Sequence, residues 1–273
     1  MKYKLICLDM DGTLYDDNHV IPKENIDTLR KAYENGIEIA IATGRLYNYA
    51  TLYGKELGFP ISIIATNGGY TKYKDEVLIH NTISQKDLLF MYDTFEKYDL
   101  LTLFNTNDSL IAKKDLDKGN AYLKGNKKLD KDKKVIIIKS ENLKEDLSKY
   151  KNEIIKTITI EKNNLELFKL IEKDFENHEN LQVVYSSPYN LEVYNKGVSK
   201  AQGIKAISEK LGIKREEVIA VGDAQNDIPM LEYAGVGVAM GNASEEVKNM
   251  ADIITDTNNN YGVSKIIEKL CFK

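Results

Sequence analysis

Short apolar runs alternate with amphipathic stretches at both ends of the chain. In the first third, apolar runs at residues 4–8, 37–42 and 61–65 predict buried strands. Apolar residues at helical spacing between these runs predict helices at residues 22–35 and 46–57. Buried strands that alternate with helices form parallel sheets covered on both faces, so this third is typical of an α/β sheet.

The last third of the chain repeats this alternation. Its predicted elements are strands at 218–221 and 236–239 and helices at 201–211, 228–233 and 245–250. We therefore predict that the two flanks, residues 1–83 and 190–273, are halves of one doubly wound parallel sheet in a Rossmann-like core.

The middle of the chain mixes strands and helices without that regular alternation. After a predicted hairpin at 70–74 and 77–80, its predicted elements are helices at 85–98 and 165–175 and strands at 101–104, 135–139, 154–161, 183–186 and 191–194. Such a mixture is typical of an α+β layer. We interpret residues 84–189 as an α+β domain inserted between the two halves of the parallel sheet.

The composition is that of an ordinary globular protein. The chain has 273 residues, 42% of them hydrophobic, and a formal net charge of −4, which excludes a disordered protein and indicates no nucleic-acid partner. Cys7 and Cys271 lie at opposite ends, which excludes a disulfide scaffold and suits a reducing compartment. No apolar run approaches the roughly 18 residues of a membrane span, and the first apolar stretch is too short for a signal peptide. We expect a cytoplasmic protein.

Lysine is concentrated in one part of the predicted insertion. Residues 84–189 carry 19 lysines and 19 acidic residues, so the segment as a whole is neutral. Within it, residues 113–139 carry ten lysines and four aspartates. This basic stretch is either a solvated loop or a surface that attracts an anionic substrate.

Two carboxylates follow the first predicted strand. Asp9 and Asp11 lie at its carboxyl end, where α/β sheets bind ligands, and Gly12 suits a tight turn there. Because the two carboxylates repel each other, a divalent cation such as Mg²⁺ is a natural partner. One carboxylate can attack phosphorus while the other donates a proton to the leaving oxygen. The alternative is an acidic turn without a chemical role.

Two further motifs combine a helix start with groups that suit phosphate. Thr43 and Gly44 follow the second predicted strand, where a hydroxyl and a backbone N–H can bind phosphate oxygens; the alternative is an N-cap threonine. Ser199 and Gln202 fit a capping box, which places Lys200 in the first helical turn. A cation there opposes the helix dipole, which a bound phosphate would explain; the alternative is a surface lysine in a lysine-rich chain.

The last motif brings polar side chains to a strand end in the second half of the chain. Asp223 follows a predicted strand, and Asn226 and Asp227 come shortly after it. We expect these groups at the same edge of the sheet as Asp9. For Asp227 the alternative is a cap for the next predicted helix.

Taken in this order, the four motifs resemble those of the haloacid dehalogenase-like (HAD) phosphohydrolase superfamily. Within it, the chain is similar to the Cof-type branch, whose α+β cap of type IIB is inserted between the second and third motifs. The resemblance covers nearly the whole chain, including the segments 66–69, 239–243, 251–252 and 261–263. It implies that the insertion is a cap domain, which in this branch selects the substrate.

The resemblance also implies a role for each motif residue. Asp9 would be the nucleophile that forms an aspartyl-phosphate, and Asp11 the general acid and base. The Mg²⁺ ligands would be Asp9, the backbone carbonyl of Asp11 and Asp223, with Asp227 in support. The phosphate-binding groups would be the Met10 backbone, Thr43, Gly44, Lys200 and Asn226.

The implied function is that of a Mg²⁺-dependent phosphatase for small phosphorylated metabolites. Sugar phosphates and phosphorylated cofactors such as FMN or pyridoxal phosphate are the substrate classes that the resemblance suggests. A phosphosugar mutase of the same superfamily and a catalytically silent phosphometabolite-binding protein are the alternatives. We expect a monomer or weak homodimer without a nucleic-acid or membrane partner.

Overall fold

The computed structural model describes residues 2–273, which form fourteen β-strands and ten α-helices. In chain order the strands are β1 (Leu5–Leu8), β2 (Glu38–Ala42), β3 (Ser62–Ala65), β4 (Tyr70–Tyr73), β5 (Glu76–His80), β6 (Thr102–Asn105), β7 (Ser109–Ala112), β8 (Ile136–Lys139), β9 (Lys156–Ile160), β10 (Leu181–Ser187), β11 (Asn190–Asn195), β12 (Val218–Gly222), β13 (Val236–Ala239) and β14 (Ile253–Ile254). The helices are α1 (Lys23–Glu34), α2 (Tyr47–Leu57), α3 (Gln85–Lys97), α4 (Ala121–Gly125), α5 (Leu143–Lys149), α6 (Glu166–Phe175), α7 (Lys200–Leu211), α8 (Ile228–Tyr233), α9 (Glu245–Asn249) and α10 (Gly262–Ile267). Across residues 2–273, no helix has the length and apolar character needed to span a membrane.

Eight strands form the first sheet, in the order β14-β13-β12-β1-β2-β3-β4-β5. The six strands from β14 to β3 are parallel, and β4 pairs with β3 in the antiparallel direction. In the centre, Leu8 of β1 pairs with Ile41 of β2 on one side and with Val221 of β12 on the other. The residues that follow these three strands therefore lie side by side at the carboxyl edge of the sheet.

Both faces of the central strand are shielded from water. Leu5 and Cys7 of β1 belong to a buried apolar cluster that includes Ile204 of α7. Because side chains alternate along a strand, Ile6 and Leu8 point to the other face, and they are fully buried as well. A strand that is apolar on both faces is typical of the middle of a parallel sheet, as the run at residues 4–8 predicts.

The second sheet has six strands, in the order β10-β11-β9-β6-β7-β8. Its neighbouring strands are antiparallel, except that β7 and β8 are parallel. The helices α3, α5 and α6 pack on this sheet through a buried cluster that includes Met91, Leu147, Phe168 and Phe104. A largely antiparallel sheet packed against helices is an α+β arrangement.

The chain divides into two compact units. The first comprises residues 2–44, Tyr53–Ile79 and Ser199–Lys273, and the second comprises Arg45–Leu52 and His80–Val198. The predicted fold class, a doubly wound α/β core with an inserted α+β domain, is confirmed. The second unit is wider than the insertion predicted at residues 84–189, and it takes in the first half of α2.

The elements that the sequence pattern does not predict are short. They are β7, β14, α4, α5 and α10, none longer than seven residues. A segment of this length holds less than two helical turns or only two residues per strand face, so its hydrophobic period is poorly defined. For β7, the turn that precedes it is built locally, since the Thr106 Oγ1 accepts hydrogen bonds from the backbone N–H groups of Asp108 and Ser109.

Candidate active site

The first two predicted acids lie on a wide backbone turn that follows β1. The backbone N–H of Asp9 donates to the carbonyl of Val221 at 3.0 Å, which anchors Asp9 beside β12. The next residues, Met10–Leu14, form a single turn closed by a hydrogen bond from the Tyr15 N–H to the Met10 carbonyl at 2.9 Å. Gly12 adopts a φ of +88°, which favours glycine.

Lys200 is buried at the base of this turn, between two carboxylates. It is the first residue of α7, its side chain is fully buried, and its Nζ donates to Asp9 Oδ1. The same Nζ donates to Asp227 Oδ1 at 2.6 Å. The alternative interpretation of Lys200 as a surface lysine is therefore wrong.

The capping box predicted at the start of α7 is also wrong. The Ser199 side chain makes no capping hydrogen bond, and the Gln202 N–H donates to the backbone carbonyl of Ser199 at 3.0 Å. The backbone at Ser199 lies so close to Gly68 that a Cβ at residue 68 would collide with the Ser199 carbonyl. The Lys200 side chain is held in place by hydrogen bonds to its two carboxylate partners, Asp9 and Asp227.

Asp223 and Asp227 complete a group of three carboxylates. Asp223 Oδ1 accepts a hydrogen bond from Thr13 Oγ1 at 2.7 Å. Asp227 Oδ2 accepts from the N–H groups of Asp223 and Ala224 at 3.0 and 2.9 Å. One oxygen from each of Asp9, Asp223 and Asp227 lies within 4.8 Å of the others, a spacing that suits a metal ion. Oxygen ligands of this kind suit hard cations such as Mg²⁺.

The Asp227 side chain makes hydrogen bonds to Lys200 and to the backbone of the loop that follows β12. Asp227 is the N-cap residue of α8, but its carboxylate makes no capping hydrogen bond to that helix. Its Oδ2 instead accepts a hydrogen bond from the Ala224 N–H and so caps the short 3₁₀ turn of residues 225–227, which confirms the alternative interpretation in part. One of its oxygens holds Lys200, and the other holds the backbone of residues 223–224. Asp227 therefore links the loop after β12 to α7.

Three carboxylates face one ammonium group, and the pKa values reflect this imbalance. Burial raises the pKa of Asp9 well above its usual range, although the charge of Lys200 opposes the shift. Burial and the charge of Asp227 raise the pKa of Asp223 to about 6. Burial alone would lower the pKa of Lys200, but Asp227 and Asp9 raise it above its ordinary value. When all three carboxylates are ionised, the site holds surplus negative charge, which a bound cation would neutralise.

Asp11 lies apart from the carboxylate group. Its side chain is 42% exposed, and its Oδ1 is 3.7 Å from Nδ1 of His19. The three carboxylates that meet the metal spacing do not include Asp11. An exposed carboxyl group two residues from a buried one is a suitable arrangement for proton transfer beside a nucleophile.

The other two predicted phosphate-binding motifs lie at the ends of neighbouring strands. Thr43 follows β2; its N–H donates to the Ile64 carbonyl at 2.8 Å, and its carbonyl accepts from the Asn67 N–H at 3.0 Å. Gly44 follows directly, whereas α2 begins only at Tyr47. Thr43 is therefore too far from α2 to be its N-cap, and that alternative is wrong.

Asn226 joins the loop after β12 to the loop after β3. Its Nδ2 donates to Asn67 Oδ1 at 3.1 Å, and Asn67 itself is buried with a φ of +55°. The carboxyl ends of β1, β2, β3 and β12 are thus connected to one another by side-chain or backbone hydrogen bonds. The structure brings the predicted residues of the four motifs to this one edge of the sheet.

Sequence reasoning did not assign roles to three residues that contact this edge. Thr13 donates to Asp223, Asn242 Nδ2 donates to the Gly12 carbonyl at 2.8 Å, and Asn258 Nδ2 donates to the Tyr15 carbonyl at 3.1 Å. Thr13 lies within the first motif, so its position in the sequence was a usable signal. Asn242 and Asn258 are more than 200 residues from the turn they contact, and no local pattern indicates such a pair.

The ten lysines of residues 113–139 are exposed, and several of them have carboxylate partners. Lys113 lies 2.7 Å from Glu96, Lys114 lies 3.2 Å from Asp99, and Lys139 lies 2.6 Å from Asp115. These pairs reduce the positive field of the stretch, which favours the interpretation as a solvated surface.

Comparisons with known proteins give concordant results. The sequence profile of the family described as haloacid dehalogenase-like hydrolase matches residues 6–267. Phosphatase YwpJ of Bacillus subtilis is 31% identical, over 98% of this chain and 99% of its own. The B. subtilis 5-amino-6-(5-phospho-D-ribitylamino)uracil phosphatase YcsE is 32% identical, over 97% of this chain and 94% of its own. A solved haloacid dehalogenase-like hydrolase from Bacteroides thetaiotaomicron has a TM-score of 0.83 and 30% identity, covering 98% of this chain and 99% of that one.

Proposed function

The chain belongs to the haloacid dehalogenase-like hydrolase family, and from that premise we propose that it is a Mg²⁺-dependent phosphatase that uses Asp9 as its nucleophile. It acts as a phosphoric monoester hydrolase on small phosphorylated metabolites. The observation that carries the mechanism is the buried Lys200, which holds Asp9 and Asp227 beside Asp223. A simple acidic turn at the surface would not bury a lysine between two of its carboxylates, because taking these charges out of water is costly.

Two aspartates perform the proton and phosphoryl transfers. An oxygen of Asp9 attacks phosphorus, the bond to the ester oxygen breaks, and protonated Asp11 gives its proton to that leaving oxygen. The product on the protein is an aspartyl-phosphate at Asp9. Asp11, now ionised, takes a proton from water as the water attacks phosphorus, and this step releases inorganic phosphate and restores the Asp9 carboxylate.

The phosphoryl group is held by neutral donors and by Lys200. An ammonium group has three donors, and Asp9 and Asp227 use two of those of Lys200, so one is left to face a phosphoryl oxygen. The hydroxyl of Thr43, the N–H groups at Gly44 and Met10 and the amide of Asn226 supply the other contacts at the same sheet edge. Such fixed donors neutralise charge that develops in phosphoryl transfer.

Asp9, Asp223 and the Asp11 backbone carbonyl would hold Mg²⁺, with Asp227 in support. Both oxygens of Asp227 already accept hydrogen bonds, which is why we place it outside the direct ligands. The surplus negative charge of the three carboxylates fits a divalent cation. When bound, Mg²⁺ would neutralise charge on the phosphoryl oxygens.

The substrate class is a phosphate ester of a small metabolite, and we propose sugar phosphates or phosphorylated cofactors such as FMN or pyridoxal phosphate. A relative that is 32% identical is named for a substrate with a phosphorylated ribityl chain, which supports an ester of a polyhydroxylated alcohol. We further propose that the inserted domain, residues 84–189, recognises the part of the substrate that leaves. Loops and domains that close over a bound substrate commonly exclude water from the reaction.

The experiment compares Asp9→Asn with a matched surface variant, Asp27→Asn. Asp27 lies on α1 in an exposed pair with Lys23, so its loss leaves the site intact. We expect Asp9→Asn to abolish Mg²⁺-dependent release of inorganic phosphate from p-nitrophenyl phosphate and Asp27→Asn to retain wild-type rates. Full turnover by Asp9→Asn would contradict the mechanism. Release of free phosphate from sugar phosphates also separates a phosphatase from a phosphosugar mutase, which returns the phosphoryl group to a sugar.

A further inference from the structure

Three consecutive residues directly after β3 adopt a left-handed backbone conformation. Thr66, Asn67 and Gly68 have φ values of +49°, +55° and +97°. Glycine and asparagine tolerate these angles, but threonine, which is branched at Cβ, rarely adopts them. Thr66 is also fully buried, and among residues 2–273 its Oγ1 finds no hydrogen-bond partner. Unfavourable features of this kind persist only where the surrounding structure imposes them, and they are common at functional sites.

Asn67, the middle residue of this turn, is anchored to the segment that carries Gly44. Its backbone N–H donates to the Thr43 carbonyl at 3.0 Å, and both residues are buried. The Thr43 carbonyl and the Gly44 N–H belong to one planar trans peptide unit, in which they point in opposite directions. The bond from Asn67 therefore fixes the peptide whose N–H group is proposed to bind phosphate.

The side chain of Asn67 reaches the loop after β12. Its Oδ1 accepts a hydrogen bond from Asn226 Nδ2 at 3.1 Å. Because Asn67 is only 1% exposed, little water competes at its side of this bond. The amide nitrogen of an asparagine carries two N–H groups in one plane. When Asn67 holds one N–H group of Asn226, the direction of the other is set as well.

The last residue of the turn lies against the start of α7. A Cβ at Gly68 would collide with the carbonyl of Ser199, the residue directly before Lys200. The turn of residues 66–68 therefore contacts the segment after β2, the loop after β12 and the start of α7. Three of the segments that carry proposed phosphate-binding groups thus meet at one turn.

We propose that Asn67 is a positioning residue for phosphate recognition: it orients the amide of Asn226 so that one N–H group faces the phosphoryl group. This inference rests on the proposed function, in which Asn226 binds phosphate. It requires the Asn67 side chain to act through Asn226. Loss of that side chain should therefore weaken phosphate binding by no more than the contribution of Asn226.

The test measures the binding of inorganic phosphate as an inhibitor of p-nitrophenyl phosphate hydrolysis at saturating Mg²⁺. Asn67→Gly removes the side chain but keeps a residue that readily adopts a positive φ. We expect this variant to raise the inhibition constant of phosphate about tenfold, as the loss of one hydrogen bond to a charged group would. An inhibition constant does not depend on the fraction of folded enzyme, so partial unfolding does not imitate the effect.

A double variant shows whether Asn67 acts through Asn226. We expect Asn226→Ala to raise the inhibition constant at least as much as Asn67→Gly does, and the double variant Asn67→Gly/Asn226→Ala to equal Asn226→Ala. A further rise in the double variant would show that Asn67 acts on another group and would overturn the inference. An effect of Asn226→Ala without any effect of Asn67→Gly would also overturn it, and the proposed function would stand.

Asn152→Gly is the matched control for the substitution itself. Asn152 also has a positive φ, of +68°, but it is exposed in a turn of the second unit. We expect its inhibition constant to equal that of the wild type, and a rise like that of Asn67→Gly would overturn the inference. If Asn226→Ala left the constant unchanged, the assignment of Asn226 to phosphate and the inference would both be wrong. A wild-type chain that releases no phosphate from p-nitrophenyl phosphate or sugar phosphates would overturn the proposed function and the inference together.

Discussion

At the scale of single residues, the site depends on a few polar side chains that hold one another by hydrogen bonds. Lys200 holds two carboxylates, Asp227 uses both of its oxygens, and Thr13 fixes Asp223. Because hydrogen bonds made away from water are strong and their loss is costly, this network keeps Asp9 and Asp223 in place before any cation binds. Gly12 belongs to the same network, since it lies directly against Asp223.

Gly12→Ala tests that contact. A Cβ at Gly12 would lie 2.8 Å from Cγ of Asp223, so the carboxylate would have to move. We expect at least about a tenfold loss of Mg²⁺-dependent turnover and a higher Mg²⁺ concentration for half-maximal rate, because misplaced ligands weaken metal sites. Steady-state kinetics over a Mg²⁺ titration measures both.

Gly36→Ala provides the control for backbone strain. Gly36 has a φ of +85°, close to that of Gly12, but a Cβ there would meet nothing within 4 Å. We expect Gly36→Ala to destabilise the fold by about 1–2 kcal/mol and to leave the kinetics of the folded enzyme unchanged. If Gly12→Ala had the kinetics of Gly36→Ala, the contact with Asp223 would be unimportant.

At the scale of elements, the second sheet contains a buried ion pair between two neighbouring strands. Lys156 of β9 donates from its Nζ to Glu192 Oε2 of β11 at 2.6 Å, and both side chains are buried. The strands pair in an antiparallel register that brings Ile158 opposite Glu192. A buried pair adds little net stability over an apolar pair, but it makes each charge dependent on the other.

Replacing one member of this ion pair should lower the free energy of unfolding more than replacing both members. We expect Lys156→Met to lower the free energy of unfolding by about 3–5 kcal/mol, because it leaves the Glu192 charge buried without this partner. The double variant Lys156→Met/Glu192→Leu should recover most of that loss. Urea unfolding followed by circular dichroism measures each value.

Lys139→Met is the control for the lost lysine itself. Lys139 lies on β8 and pairs with Asp115 at the surface, where ion pairs contribute less than about 1 kcal/mol. A Lys156→Met variant no less stable than Lys139→Met, or a double variant less stable than the single one, would contradict the interpretation of a mutually dependent buried pair.

At the scale of the whole molecule, the net charge is small although several carboxylates are concentrated at one site. The chain carries a formal charge of −4, yet three carboxylates and one ammonium group share one buried edge of the sheet. The raised pKa values of Asp9 and Asp223 mean that the folded, metal-free protein holds protons more tightly than the unfolded chain does. The contribution of these two groups to the stability of the metal-free protein should therefore fall as the pH rises from about 4 through about 6.

Mg²⁺ should reverse that loss of stability where the carboxylates are ionised. With the pKa of Asp223 at about 6, we expect Mg²⁺ to raise the melting temperature of chelator-treated protein more at pH 7.5 than at pH 5.5. Differential scanning fluorimetry at both pH values, with KCl at equal ionic strength as the control, measures the shift. An equal Mg²⁺ shift at the two pH values would contradict the assignment of these carboxylates as ligands.

The long elements and the parallel sheet itself were predictable because hydrophobic period is a local property. The runs at residues 4–8, 37–42 and 218–221 correspond to β1, β2 and β12, and the acids that follow two of these strands meet at one edge, as expected for parallel strands. Bounds differ by one or two residues, since helix and strand ends depend on hydrogen bonds that the period does not specify. Short elements such as β7 were missed because so few residues define a hydrophobic period poorly.

The sequence by itself determined the fold class and the residue types at the site. The hydrophobic period of each strand is a local property, and Asp9, Asp11 and Asp223 each follow a strand within a few residues. Only the tertiary structure decided that Lys200 is buried between Asp9 and Asp227, since a lysine at a helix start has no local signal for burial. It also decided that Asn242 reaches the Gly12 carbonyl across 230 positions of the chain. Contacts of that kind depend on where loops end in space, and each loop is placed by the packing of the whole sheet rather than by its own residues.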